Sequence, residues 1–143
     1  MTRPTITKVP RRLYPELRAL LDRLLTADGD ESVWQAQGEY WAAWSPTGAA
    51  VAVAGLVRST RFTDVVYLHA VGVDEAYRGH HMQRRLIRAR VRWARAHGFS
   101  HAVTYTLVDN VASSRSLVAC GFKPYWPSYP WAGRFVCYWL RAL

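Results

Sequence analysis

The pattern of apolar and polar positions predicts most of the chain's elements. Residues 4–9 alternate and predict a short first strand. Leu13, Leu17, Leu20, Leu21, Leu24 and Leu25 recur at helical spacing, which predicts an amphipathic helix over residues 13–26 that stops at Asp28, Gly29 and Asp30. Residues 31–37 fit neither period. Residues 39–44 alternate, break at Ser45, Pro46, Thr47 and Gly48, and lead into a second apolar run at 49–58, a hairpin pattern. Residues 65–73 are nearly all apolar, as expected of a central strand covered on both faces. A turn at 74–79 precedes a long helix over 80–97, which Gly98 closes. A strand at 101–107 follows, then a helix at 111–120 capped by Asp109 or Asn110 and ended by Gly121. The aromatic tail alternates from Arg134 to Arg141 like a last strand. The order β-α-β-β-β-α-β-α-β predicts a mixed α/β (α+β) layer domain, a central sheet flanked by helices.

At 143 residues the chain suits one domain spanning 1–143, and seven Trp, eight Tyr and four Phe supply core material that excludes disorder. The longest apolar run, from Ala49 to Val57, is too short for a membrane helix. The N-terminal leucines are interrupted by Arg18, Asp22 and Arg23, unlike a secretory leader. Two cysteines, Cys120 and Cys137, read as reduced thiols of a cytoplasmic protein. Nineteen basic residues against ten acidic ones give a formal charge of +9, which points to a polyanionic or phosphorylated partner, or to the arginine bias of a GC-rich genome.

The long helix shows where that charge concentrates. At about 100° per residue, Met82, Leu86, Ala89, Trp93 and Ala96 share one side, flanked by Ile87 and Ala94, while Arg84, Arg85, Arg88, Arg92 and Arg95 lie opposite. Most of that ridge reads as a solvated outer face. Its N-terminal end is different. Between Arg78 and Arg85, free backbone N–H groups, the positive end of a helix dipole and several arginines coincide, a combination suited to a phosphate or pyrophosphate.

The segment carrying Val73, Arg78, Gly79, His80, His81, Met82, Gln83 and Arg84 resembles the signature of the GNAT N-acetyltransferase superfamily: a strand ending in Val, Arg or Gln five residues on, then x-x-Gly-x-Gly/Ala opening a helix. A second segment, Asn110 through Ser113 and Leu117 to Gly121 and Phe122, resembles the family's second motif, with Gly-Phe eleven and twelve residues after the Asn. The resemblance covers residues 50–123 and implies a GNAT fold with acetyl-CoA as co-substrate. It implies that the backbone of Val71, Gly72 and Val73 receives the pantetheine arm, that Arg78, Gly79, His80, His81, Met82, Gln83 and Arg84 wrap the pyrophosphate, and that Asn110 and Ser113 hold the cofactor from the following helix.

Three departures stand out. His81 and Gln83 replace the signature glycines, which let backbone approach phosphate without a Cβ in the way; helical φ/ψ would accommodate both. Leu117 stands where many relatives place a Tyr that protonates the leaving thiolate, so Tyr105 or Ser116 must serve if any hydroxyl does; packing in the sheet is the competing role for Tyr105. Some relatives carry a carboxylate near the position of Val65, and this chain has none there. Period-two alternation puts Val65, Tyr67, His69 and Val71 on one face, so His69 is either the base that takes the amine's proton or a histidine satisfied under the sheet. Glu39 is a second candidate base, or a solvated hairpin carboxylate. The adjacent His80 and His81 do not share a helix face and make no metal site.

The resulting expectation is an N-acetyltransferase in which a small-molecule or peptide amine attacks acetyl-CoA directly, with a backbone N–H near Val71 to Val73 stabilising the oxyanion. A homodimer is compatible with the fold. Tyr125, Trp126, Tyr129, Trp131 and Trp139 suit either an aromatic acceptor wall, a dimer contact or core packing. Two alternatives remain: a basic module that binds nucleic acid through the arginine ridge, less favoured because no nucleic-acid-binding motif is present, and a GNAT fold that binds CoA without turnover.

Overall fold

The computed structural model describes residues 3–27, 34–79 and 81–143. Asp28, Gly29, Asp30 and His80 therefore lie outside the described residues. Strand β1 is Thr5–Lys8, and a single 3₁₀ turn at Arg11–Leu13 leads into helix α1, Tyr14–Ala27. Pro15 occupies the first turn of α1, where its missing N–H leaves no helical bond unmade. Strands β2 (Glu39–Trp44), β3 (Ala50–Arg58) and β4 (Val65–Val73) follow as antiparallel neighbours. Helix α2 is Met82–Ala96, β5 is His101–Leu107, α3 is Val111–Ala119, and β6 (Lys123–Tyr125) and β7 (Val136–Ala142) complete one sheet ordered β1-β2-β3-β4-β5-β7-β6.

The expected mixed sheet flanked by helices is present, with adjustments that have physical reasons. The first strand and the long helix are each trimmed at both ends, and the last strand runs 136–142 rather than 134–141. Strand β6 escapes the alternation because it is three residues long and contains Pro124, which is tolerated because β6 is an edge strand. Residues 34–38 form a turn, with Gly38 N donating to Gln35 O at 3.0 Å.

The sheet buries a different cluster on each face. Leu86, Ile87, Val91 and Ala94 of α2 pack with Leu56, Val66, Leu68 and Ala102 on one face. Leu17, Leu21 and Leu25 of α1 pack with Val9, Tyr40 and Val53 on the other. The buried face of α2 is rotated from the expected one: Ala96 is exposed, and Arg90 is only 1% exposed. The Arg90 guanidinium ends on backbone carbonyls, with Nε donating to Leu86 O at 3.1 Å and Nη1 to Gly55 O at 2.9 Å. Those bonds offset the cost of its desolvation. Arg88, Arg92 and Arg95 remain on the solvated side as expected, while Arg85 turns back to Pro4 O at 2.6 Å.

Helix α3 is held at its start by Asn110, whose Oδ1 accepts from Ser113 N at 3.1 Å. We predict that Asn110→Ala lowers stability by about 1 kcal/mol, the usual cost of a lost N-cap, as a shift of the denaturant midpoint. Cys120 and Cys137 are both free. Among the described residues no helix is long and apolar enough to cross a membrane.

Candidate active site

The site arises where the sheet splits. Strands β4 and β5 run parallel but pair only over 65–67 with 101–103. At the point of divergence Thr104 Oγ1 reaches across and donates to Leu68 O at 2.8 Å, substituting for the next ladder bond. Beyond it, the β5-facing edge of β4 at 70–73 has no strand partner in the ladder. Such an edge is a template for an extended, amide-bearing chain.

A bulge shapes that edge. Gly55 pairs with His69 and Val53 with Gly72, so Ala70 and Val71 together stand opposite Ala54. Ala70 takes φ +57°, a left-handed conformation unusual for a residue with a Cβ. The bulge corrects the predicted face pattern. Val71 does not share the face of Val65, Tyr67 and His69. It packs with Val73 on the α2 side, while Ala70 joins the α1 side.

At the far end of the split lies the start of α2. The segment before it puts Gly79 at φ +80° and His81 at φ +55°. His81 is therefore left-handed rather than helical, which corrects the expectation that helical φ/ψ would accommodate it. Only Gln83 sits in the helix proper. We predict that His81→Gly gains up to about 1 kcal/mol by relieving this backbone, measured by thermal or chemical unfolding.

The first helical hydrogen bond here runs from Arg85 N to His81 O at 3.1 Å, so the N–H groups of Met82, Gln83 and Arg84 point out of the helix without intrahelical partners. No acidic residue lies in this first turn. Arg78 Nε donates to Val73 O at 3.1 Å, which ties the loop to the end of β4. Gln83 Nε2 donates to Ser113 Oγ at 3.0 Å and links the starts of α2 and α3. The structure thus gathers Val71, Gly72, Val73, Arg78, Gly79, His81, Met82, Gln83, Arg84, Asn110 and Ser113 around one split. An unpaired strand edge followed by a cationic helix N-terminus fits the amide-rich arm and the phosphates of acetyl-CoA. Gln83 and Ser113 satisfy one another.

On the α1 face, over the paired stretch of β4 and β5 that precedes the split, lies a cavity of about 700 Å³. Its floor includes Val65 and Tyr67 of β4 and Val103 of β5, and its wall includes Trp131 and Tyr129 from the β6–β7 connection. Tyr138 pins that connection over the sheet: its hydroxyl accepts from Ala132 N at 2.9 Å and donates to Gly133 O at 2.6 Å. Trp131 then stands edge-on to Tyr67, Tyr105 and Tyr138, with centroids 5.2, 5.8 and 5.1 Å away. The sequence offers these tail aromatics as a wall, a dimer contact or core; the hydroxyl contacts of Tyr138, rather than any periodicity, put Tyr129 and Trp131 beside the cavity.

Next to Tyr67, at 5.6 Å between centroids, lies His69. It is 5% exposed, and among the described residues neither ring nitrogen has a hydrogen-bond partner. Tyr40 flanks it at 5.8 Å, and Gly55 lies beneath it, where a Cβ would stand 2.9 Å from Nε2. Burial, helped by the positive charge of Arg90, pushes the imidazole down to about 4, so it is neutral across the physiological range. Burial also raises the Tyr67 hydroxyl above the usual phenol range. Tyr105 stacks on Tyr67 and stays 38% exposed at the split.

The other two candidates are placed elsewhere. Glu39 lies two strands from β4, and its carboxylate contacts Lys8 at 2.8 Å and Arg11 at 3.5 Å. Ser116 is buried on α3.

Comparison with known proteins agrees with this geometry. Three solved structures similar to the chain illustrate it: an IAA acetyltransferase from Bacillus cereus ATCC 14579 (18% identity, 98% of this chain and 99% of that one, TM-score 0.76), a GNAT-family acetyltransferase from Streptococcus pneumoniae (16%, 98% and 99%, 0.78), and a GNAT superfamily phosphinothricin acetyltransferase from Sinorhizobium meliloti in complex with AcCoA (15%, 99% and 89%, 0.76). At these identities the likeness speaks for the fold. No curated protein matches the chain. The model of the acetyltransferase (GNAT) family matches residues 8–122, which include the split, both motifs and His69. The chain belongs to the GNAT acetyltransferase family, whose acyl donor is acetyl-CoA.

Proposed function

We propose that the chain transfers an acetyl group to a primary amine, on a small molecule or a peptide, bound in the aromatic cavity. The observation that carries this reading is that Tyr67, in the cavity floor, stacks on Tyr105 and lies beside His69, next to the point where β4 and β5 part. Acetyl-CoA supplies an acyl group activated as a thioester.

The chain's own residues do the rest. The free edge of β4 at 70–73 holds the donor arm in register, and its N–H groups face the oxygen where negative charge develops. The α2 N-terminus and Arg84 hold the phosphates. His69 is neutral and unpartnered, so it accepts a hydrogen bond from the attacking nitrogen. Because burial and Arg90 oppose a lasting positive charge on it, His69 does not store the proton, which leaves to solvent as the product departs. Tyr105, exposed at the split, donates a proton from Oη to the departing sulfur, the task Leu117 cannot perform. Tyr67 and Trp131 exclude water on the acceptor side.

A thiol-release assay over a panel of primary amines, with mass spectrometry of the products, tests this. Amine-dependent thiol release with a matching acetylated product is expected. Acetyl-CoA binding without release for any amine contradicts it and leaves a non-catalytic CoA-binding protein.

A further inference from the structure

We infer that the acceptor is an aromatic amine that also carries an acidic group: the ring lies among Trp131, Tyr67 and Tyr129, and the anion meets Arg61 and Arg58 at the cavity rim. This deepens the acetyltransferase reading and rests on it. A cavity of about 700 Å³ is in the range that encloses small organic ligands rather than a polypeptide segment. Its walls are flat and rigid. Trp131 is fixed edge-on to three tyrosines, and Tyr67 and Tyr105 lie with their planes 18° apart. Such surfaces favour a planar ring over an aliphatic chain, through area buried and through ring geometry.

The rim supplies the second requirement. Arg58 and Arg61 both line the cavity, and among the described residues the ion pairs involve only Lys8 and Arg11 with Glu39. The two rim guanidiniums therefore have no carboxylate partner. Each instead lies over a ring: Arg61 is 5.6 Å from the centroid of Tyr129 and 5.8 Å from that of Phe62, both in the cavity lining, and Arg58 is 5.2 Å from that of Phe99, which belongs to the α2-face cluster. A guanidinium stacked this way keeps its edge donors free for a carboxylate or phosphate. Asp64 also lines the cavity, but Ser100 Oγ occupies its carboxylate at 2.6 Å, and two arginines against one aspartate leave the rim positive. Tyr67 in the cavity floor adjoins His69 and Tyr105 on the way to the split, whereas Arg58 ends β3 and Arg61 lies in the β3–β4 connection, at the opposite end of β4. The amine is thereby directed inward and the acid outward.

The test uses the full chain with L-tryptophan, tryptamine (no acid) and L-alanine (no ring) as probes, in acetyl transfer followed by thiol release and in calorimetric binding of each amine. L-tryptophan is expected to exceed each of the others at least tenfold in kcat/KM. Arg61→Ala and Arg58→Ala narrow the tryptophan-to-tryptamine ratio, and Trp131→Ala narrows the tryptophan-to-alanine ratio. Arg92→Ala, on the exposed face of α2, leaves both ratios as they are. All three of the first substitutions are at exposed positions, so folding is not at issue. Tryptamine equal to or better than tryptophan, or ratios indifferent to Arg61 and Trp131, overturns the inference. The two readings fail differently. Transfer to amines without a tryptophan preference sinks the acceptor class alone. Tryptophan binding that depends on Arg61 and Trp131 without any thiol release sinks acetyl transfer and supports the ligand class. Neither binding nor transfer sinks both.

Discussion

Replacing His69 with glutamine is expected to lower kcat by about 100-fold, the low end of what a positioned proton acceptor contributes, while the acetyl-CoA dissociation constant stays at its wild-type value. The separation follows from geometry. His69 faces the α1 side, whereas the proposed cofactor contacts are the β4 edge and the α2 N-terminus. Glutamine nearly preserves volume between Tyr40 and Tyr67, and His69→Ala supplies a second variant lacking any polar group. Stopped or steady-state thiol release gives kcat, and calorimetry gives the dissociation constant. Unchanged kcat in both variants removes His69 from the chemistry. A parallel loss of cofactor binding assigns it a structural role instead.

The same histidine makes the fold acid-sensitive. Its unfolded pKa is 6.5 and its folded one is about 4, so between those values the unfolded chain binds the extra proton. Stability therefore rises with pH across this window and is lost as pH falls from about 6.5 to about 4. Some 2.5 pKa units at 1.36 kcal/mol each correspond to roughly 3 kcal/mol, a large share of a typical domain's stability. Neighbouring groups do not mask this window. Tyr40 and Tyr67 are raised and stay neutral, and the Ser100 hydrogen bond lowers the Asp64 carboxyl, so its own contribution is lost only at more acidic pH. Denaturant unfolding at pH 7 and pH 4.5 is predicted to show a markedly larger loss in the wild type than in His69→Gln. Equal losses in the two proteins contradict a neutral buried His69.

Much of the fold could be read in the chain, because its elements carry strong periods and clear stops. The leucines of α1, the Ser45-to-Gly48 turn and the apolar run of β4 each reach the structure nearly unchanged. The elements that carry the two motifs were also legible, since the spacings around Arg78 and Asn110 match a strand end and two helix starts. What stayed hidden depends on contacts distant in sequence. The bulge that turns Val71 away from His69 occurs at Ala70, without a glycine to announce it. No pattern in the sequence places Arg90, whose buried guanidinium ends on Gly55 O. The aromatic tail lines the cavity with Tyr138 anchoring the β6–β7 connection.

The most direct test of the account is a calorimetric titration of the wild-type protein with acetyl-CoA at low and moderate salt, with desulfo-CoA as control. The account predicts saturable one-to-one binding that survives moderate salt, because strand-edge amides and oriented helix N–H groups contribute alongside arginine charge. Absent binding, or binding that vanishes with salt as a purely ionic contact does, contradicts it and turns attention to the arginine face of α2 and to nucleic acid.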